Sequence, residues 1–434
     1  MEKERTVLHC DCNSFFASVE TVSHPEYARV PMAVCGSTED RHGIVLAKNE
    51  LAKKYGIQTA ETVYAAKKKC PDLVVAEPHY AEYVRFSREI NRLYADYTDE
   101  IEPFGIDESW LDVTKSRKAF GTGIEIAETL RRRVREEMGI TISVGVSFNK
   151  VFAKLGSDYK KPDAVTVIDR ENFRQIVFPL PVGSLLFVGK RTEDALLKMG
   201  IRTVGDLAGA SVALLSARFG KMGEMLHRYA SGEDDSPVTP PTEDAKSIGN
   251  GFTFRHDLVG RDACRVGIDF LSEEIGEKLR ARRQKCTTVT LRVKDEFLST
   301  VQKQKQLSAP TDLSREIAAT AYTLLLSFWS PEKPVRMLTV TASGLVRREA
   351  ATEQLDFFSD PLIEQRREKG EKRENAMDKI RQKYGRAAIV QGSVIDTDIG
   401  IYERKAQRAK NAVEDSSASG ASLSHPKEKT VKEK

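Results

Sequence analysis

Pairs of the C-x-x-C type are missing from this chain of 434 residues. Its six cysteines, Cys10, Cys12, Cys35, Cys70, Cys264 and Cys286, form no C-x-x-C pair, so neither a zinc site nor a disulfide framework is indicated. No apolar run reaches the roughly 18 residues of a membrane span, and the opening Met1-Glu2-Lys3-Glu4-Arg5 has no signal-peptide character. A cytoplasmic protein with no membrane partner is therefore expected. Net charge is also scarce, at +4. If the partner is nucleic acid, basic groups must be concentrated locally rather than spread over the chain. What remains, 40% hydrophobic and 30% charged residues, describes a globular protein with a charged surface. The length is too great for one ordinary core, so two to four domains are expected.

Strand-like and helix-like segments interleave over the first 170 residues. Thr6 to Cys12 reads as a buried strand carrying one acid, Asp11, and Asn13 or Ser14 then caps a helix through Glu20. Strands follow at Pro31–Cys35, Gly43–Ala47 and Leu73–Ala76, with helices at Asn49–Tyr55 and Thr62–Cys70 between the last two. Residues Ala81 to Tyr97 have apolar side chains at helical spacing and read as a core helix. Helix Gly123–Met138, strand Thr141–Val146, a helix from Lys150 to Gly156 and strand Ala164–Ile168 complete an α/β pattern.

From residue 171 short helices replace strands. Leu186-Phe187-Val188-Gly189-Lys190, a helix to Ile201, and Thr203 to Leu207 suggest a helix-hairpin-helix, whose glycine turn and helix N-terminus can offer N–H groups to a phosphate. Residues 231–242 are a linker by composition. A second unit then reads βαββαβ: Lys246–Phe254, Cys264–Arg283, Thr287–Val293, Leu298–Lys303, Ser314–Trp329 and Val335–Ser343. Arg280, Arg282, Arg283, Lys285, Arg292 and Lys294 concentrate there and suit a phosphate-tracking surface, as they also suit a solvated face. Beyond Arg348 the chain turns polar, except for Gln354-Leu355-Asp356-Phe357-Phe358; a charged helix over Glu364–Tyr384 and a disordered end from Ser416 are expected.

The chemistry resides in the acids. In Gly105-Ile106-Asp107-Glu108-Ser109-Trp110-Leu111-Asp112-Val113 two adjacent carboxylates interrupt an apolar run. As a strand, the period of two puts Glu108, Trp110 and Asp112 on one face and Asp107 on the other. As a turn, the two acids are simply solvated. A buried acid needs compensation, and divalent cations supply it. Asp11, Asp107 and Glu108 together suit two Mg²⁺ ions, which take oxygen ligands and keep sites for substrate phosphates. Such a pair can activate a 3′-hydroxyl and stabilise leaving pyrophosphate, with Lys53 and Lys161 at hand for a triphosphate. By residue count alone a two-metal nuclease fits almost as well, and a non-catalytic DNA-binding protein with a decayed site is the rival from another class.

Longer motifs bear a resemblance. Asp11-Cys12-Asn13-Ser14-Phe15-Phe16-Ala17-Ser18-Val19-Glu20, Ala47-Lys48-Asn49, Ile106 to Val113, Val144-Gly145-Val146-Ser147-Phe148-Asn149-Lys150-Val151-Phe152-Ala153-Lys154, Lys160-Lys161-Pro162 and Lys246 to Asn250 resemble the Y-family translesion DNA polymerases, in the branch of bacterial DNA polymerase IV (DinB) and UmuC. The similarity runs from about residue 6 to about 345. It implies an α/β (α+β) multidomain right hand: palm at 1–20 and 77–168, fingers at 21–76, a helix-hairpin-helix thumb at 169–232, a linker at 233–242, a βαββαβ little finger at 243–345, and a tail at 346–434.

By matching positions, Asp11, Asp107 and Glu108 hold two Mg²⁺ with the Cys12 carbonyl, and Phe16 is the steric gate that excludes a 2′-hydroxyl. Phe15, Asn49, Lys53 and Lys161 fall at substrate-binding positions. Glu50 and Lys53 stand where the branch has tyrosine and arginine; Lys53 keeps the charge without the bidentate fork, and Glu50 must turn away or pair with a lysine. Gln354, Leu355, Phe357 and Phe358 resemble the bacterial sliding-clamp motif. The implied activity is low-fidelity, template-directed addition of deoxynucleotides to primer-template DNA by a monomer tethered to the clamp's β subunit.

Overall fold

The computed structural model describes residues 5–37, 43–240, 245–350, 361–385, 388–390 and 392. The Gln354–Phe358 motif lies outside the described residues. The chain forms two compact units, one of Met1–Gly36 with Ile44–Thr242, the other of Ser37–Gly43 with Glu243–Lys434.

The first unit is built on a five-stranded sheet whose central strand is Val7–Cys12. Glu108–Asp112 and Ile142–Ser147 flank it, both antiparallel to it, with Ile101–Pro103 and Val165–Ile168 at the edges. Strand alternation divides the centre cleanly. Leu8, Cys10 and Cys12 point into a core closed by helices Tyr80–Ala95 and Gly123–Met138. His9 and Asp11 point to the other face, across which helix Lys150–Tyr159 is laid. That helix lies close because residue 145 is glycine: a Cβ there would stand 1.9 Å from the Ala153 carbonyl oxygen. A small three-stranded sheet, Val45–Lys48, Met32–Cys35 and Val74–Ala76, carries its own core under helix Val63–Lys69.

Ile101–Pro103 and Glu108–Asp112 are two strands joined by a bend. Ile101 pairs with Leu111 and Pro103 with Ser109, so Phe104–Asp107 is the bend of a hairpin. The Phe104 and Gly105 amides both donate to the Glu108 carbonyl, at 2.9 and 3.3 Å. Trp110 and Leu111 are buried.

Residues 178–230 are helical. Gly189 begins helix Lys190–Lys198 with no side-chain cap, whereas a Thr203–Asp206 capping box opens the next helix, Val204–Ala208. The segment after Ala230 is not a free linker as far as Thr239. Asp234 is buried and accepts the Lys150 N–H, the Thr239 N–H donates to Glu102, and Val238 packs on Trp110. Its Gly, Ser and Pro content marks irregular backbone, which is compatible with being pinned.

The second unit confirms the βαββαβ order as a four-stranded antiparallel sheet, Thr300–Thr311, Gln284–Lys294, Val335–Arg347, Ser247–Leu258, with helices Arg261–Ala281 and Ser314–Phe328 packed on one face. Cross-strand partners on the opposite face are small or polar: Gln302, Arg292, Thr339 and Gly251 lie in one row, and Gln304, Thr290, Thr341 and Gly249 in the next.

Two of the basic residues expected on a phosphate-tracking surface are elsewhere. Arg280 is buried and paired with Glu374 and Asp378, and Lys285 reaches Glu371. Their partners belong to helix Pro361–Tyr384. Arg367, Glu371, Glu374, Asp378 and Arg381 fall at alternating spacings of four and three, hence on one helix face. That face is charged along its length and docked by ion pairs, with Arg381 on Glu273 and Arg367 on Glu316. Leu313 gives the Ser314–Phe328 helix no side-chain cap, and Glu374 supplies the missing acceptor in trans, taking the Ser314 N–H at 3.1 Å and its hydroxyl at 2.9 Å.

Candidate active site

Asp11 lies directly opposite Glu108 in the antiparallel register and opposite Ser143 on its other side. Asp107 is the last residue of the hairpin bend, and its carbonyl accepts the Cys12 N–H at 2.9 Å. The conflict between adjacent acids and strict alternation is thereby resolved. Glu108 is the first residue of its strand, on the face shared with Asp11, while Asp107 is freed from alternation by the bend. All three line one cavity of about 350 Å³, with Cys12, Phe15, Lys53, Lys154 and Lys161 also in its wall.

Two lysines balance the acids. Lys161 Nζ is 2.7 Å from Asp11 Oδ1 and 2.8 Å from Asp158 Oδ1. Lys154 binds Glu108 and lies 3.2 Å from Asp11 Oδ2. The effect on the two neighbours is opposite. Burial, then the charges of Asp11 and Glu108, push the Asp107 carboxyl above its ordinary range. Burial also acts to raise Glu108, but contacts from His9 and Lys154 outweigh it and hold its pKa at about 2. Crowded, partly desolvated carboxylates with hard oxygen donors fit a divalent cation. His9, Asp11 and Glu108 also offer ligand atoms within 4.8 Å of one another.

Helix Phe15–Ser23 starts at the cavity rim, from Ser14 in the left-handed region at φ 50°. Phe15 is buried. Phe16 is partly buried and stacks on Tyr83, ring centroids 4.1 Å apart and planes 10° apart. The Tyr83 hydroxyl donates to buried Glu20, which also accepts the His79 N–H at 3.2 Å. The ring at position 16 thus rests on a fixed base.

Lys53 faces the cavity and pairs with Glu50 at 2.6 Å, the pairing expected if Glu50 is not to oppose an anion. Asn49 is held by the backbone and does not line this cavity. Its Oδ1 accepts the Ala52 and Met32 N–H groups and its Nδ2 donates to the Tyr27 and Val30 carbonyls, at 2.8–3.1 Å. That side chain has no hydrogen-bonding capacity left for a substrate and acts as a helix cap. The Cys12 side chain is buried in the core with Leu8 and Cys10, on the strand face opposite Asp11, so of this residue the backbone is the part on offer to the site.

Sequence reasoning missed Lys154, Ser157 and Asp158 as members of the site. The signal was present: 154, 157, 158 and 161 share a helical spacing, with two lysines and an acid among them. His9 was missed because a lone histidine in a buried strand has no pattern of its own.

Three stretches match known families: residues 10–158 match the impB/mucB/samB family, residues 245–357 its C-terminal domain, and residues 185–234 a thumb domain described as that of DNA polymerase-iota. The chain is 45% identical over 394 residues to the DNA polymerase IV of Acetivibrio thermocellus, covering 90% of this chain and 98% of that one. It is 36% identical over 406 residues to that of Pelotomaculum thermopropionicum, covering 93% and 99%, and 38% over 386 residues to that of Moorella thermoacetica, covering 88% and 94%. Among solved structures a Y-family DNA polymerase chimera, Dbh-Dpo4(243-245)-Dbh, shares the fold with a TM-score of 0.71 at 24% identity, covering 79% of this chain and 99% of that one.

Proposed function

The chain belongs to the impB/mucB/samB family, and from that premise we propose how its own residues perform the work of a Y-family polymerase. It is a DNA-directed DNA polymerase of the translesion class, acting on DNA and nucleotides with the metal dependence general to the family. The observation that carries the assignment of its site is the placement of Asp11, Glu108 and Asp107 around one cavity, by register and by a hairpin bend, with Lys154 and Lys161 beside them.

Asp11, Asp107, Glu108 and the Cys12 carbonyl would hold two Mg²⁺ ions, whose chemistry would be to lower the pKa of the primer 3′-hydroxyl and to stabilise the leaving pyrophosphate. The protein's part is positioning. Lys53 and Lys161, with Phe15 and the start of its helix, take the triphosphate. Phe16, held on Tyr83, closes the space under the sugar and selects deoxynucleotides. The Gly189 helix start grips a phosphate of the duplex. The small, polar sheet face of the second unit, with Arg292 on it, tracks the backbone without reading bases.

The domain reading is palm 1–20 and 77–168, fingers 21–76, thumb 169–232 and little finger 243–345. Low fidelity, a monomeric state and a cytoplasmic location complete the proposal; no helix among the described residues is long and apolar enough to cross a membrane. Gln354, Leu355, Phe357 and Phe358 bind the sliding clamp.

Primer extension on a defined template tests the site. Asp107→Ala or Glu108→Ala should abolish template-dependent pyrophosphate release, and full extension by either variant would sink the assignment. Nuclease activity without extension would favour the rival two-metal enzyme.

A further inference from the structure

We propose that His9 is a positioning residue for Glu108, donating Nε2–H to the Glu108 Oε2 so that the other carboxylate oxygen faces the cation. The inference rests on the reading of Glu108 as a metal ligand. His9 stands two residues before Asp11 on the same strand, hence on the same face, with its side chain fully buried. Its ring is fixed on two sides. Trp110, its cross-strand partner, meets it edge-on at 5.1 Å, and Nδ1 lies 2.8 Å from Ser157 Oγ. Nε2 has no well-aligned hydrogen-bond partner; the acceptor before it is Glu108 Oε2, at 3.3 Å.

The Ser157 hydroxyl selects which nitrogen carries the proton. It has one hydrogen and two acceptors, the Lys154 carbonyl at 2.8 Å and His9 Nδ1. Given to the carbonyl, it leaves Nδ1 as the donor and sets a bare Nε2 lone pair against a carboxylate. Given to Nδ1, it leaves Nε2–H on the side of Glu108 Oε2, 3.3 Å away. A buried lone pair facing a carboxylate is costly, so the second arrangement holds.

Lys154 binds the same Glu108 oxygen, but as a cation at the end of four rotatable bonds, and it serves Asp11 and Asp158 as well. A divalent cation among these carboxylates repels an ammonium and does not repel a fixed imidazole N–H. His9 is therefore the partner that still holds Oε2 once the metal is bound, the role that outer hydrogen bonds play for ligating carboxylates.

The test is Mn²⁺ binding to the full-length, DNA-free protein by electron paramagnetic resonance, beside the Mn²⁺ and Mg²⁺ midpoints of primer extension. His9→Phe keeps the ring and loses the donor; its Mn²⁺ affinity should fall about tenfold or more, in the range of such outer-shell losses. The extension midpoint should move with it, and the rate at saturating metal much less. His9→Gln, whose amide N–H can reach the Nε2 position, should recover most of the affinity. Histidine ¹⁵N spectra should place the wild-type proton on Nε2. Unchanged affinity in His9→Phe, or His9→Gln no better than His9→Phe, overturns the proposal. If His9→Phe does not fold, Ser157→Ala decides: a weakened affinity supports it and an unchanged one overturns it. Glu108→Gln separates the two readings, because unaltered Mn²⁺ binding in that variant means the ligand assignment itself has failed.

Discussion

Removing one carboxylate from the helix Pro361–Tyr384 should destabilise the second unit far more than an exposed charge would. In Glu374→Ala, Arg280 loses a partner while its side chain is 5% exposed, and the first amide of the Ser314–Phe328 helix loses its acceptor. Arg280 keeps Asp378, so the loss is one charged hydrogen bond, about 1.5–3 kcal/mol, plus an orphaned Ser314 N–H, about 1–2 kcal/mol, together about 3–5 kcal/mol. A domain of this size loses about 3 °C of Tm per kcal/mol, so the transition should fall by roughly 10–15 °C. Calorimetry on the full-length protein measures it, and amide exchange over 361–385 locates it. Replacing the whole charged group, Arg280→Met with Glu374→Leu and Asp378→Leu, should restore part of the loss, since no buried member of it is then left unpaired. A Glu374→Ala shift under about 2 °C would refute the reasoning and would mean that this helix is carried by the domain rather than integral to it.

Two further outcomes follow from the site. Asp107 has its folded pKa raised by burial and by Asp11 and Glu108, so folding favours its protonated form and its contribution worsens as pH rises through that raised value. Asp107→Asn should therefore raise the Tm of the metal-free protein at neutral pH while abolishing extension; a lower Tm contradicts the electrostatic reading. Glu108 behaves oppositely: with its folded pKa held at about 2, its stabilisation is present above the ordinary carboxylate range and disappears as pH falls toward that value. Phe16→Ala should admit ribonucleotides in primer extension, and unchanged sugar selectivity would move the gate to another residue.

Much of this protein was legible in its residues because the relevant signals are local. Alternation and helical spacing gave the α/β core and the βαββαβ unit, and Asp11 stood out as an acid in a buried strand. The motifs containing Asp107, Glu108 and Phe16 carried the family. Other features depend on groups distant in the chain. The pairing of Asp11 with Glu108 is a register between strands about a hundred residues apart, and the hairpin bend that frees Asp107 is set by the backbone pairing of Phe104 and Gly105 with Glu108. Nothing local to Asn49 shows that four backbone groups, three of them about twenty residues away, occupy its side chain.

Composition reported irregular backbone over 231–239 but not its pinning, because glycine and proline say nothing of what a segment docks on. Hydrophobic patterning was silent on the docked face of Pro361–Tyr384, which is held by charge. The sequence by itself determined which residues could do the chemistry, since carboxylates, lysines and a phenyl ring are chemical facts of the chain. Only the tertiary structure decided which of them meet, because strand register and helix docking bring together groups that no local pattern relates. His9 is the clearest case: its meaning lies wholly in Ser157 and Glu108, each about a hundred residues or more away along the chain.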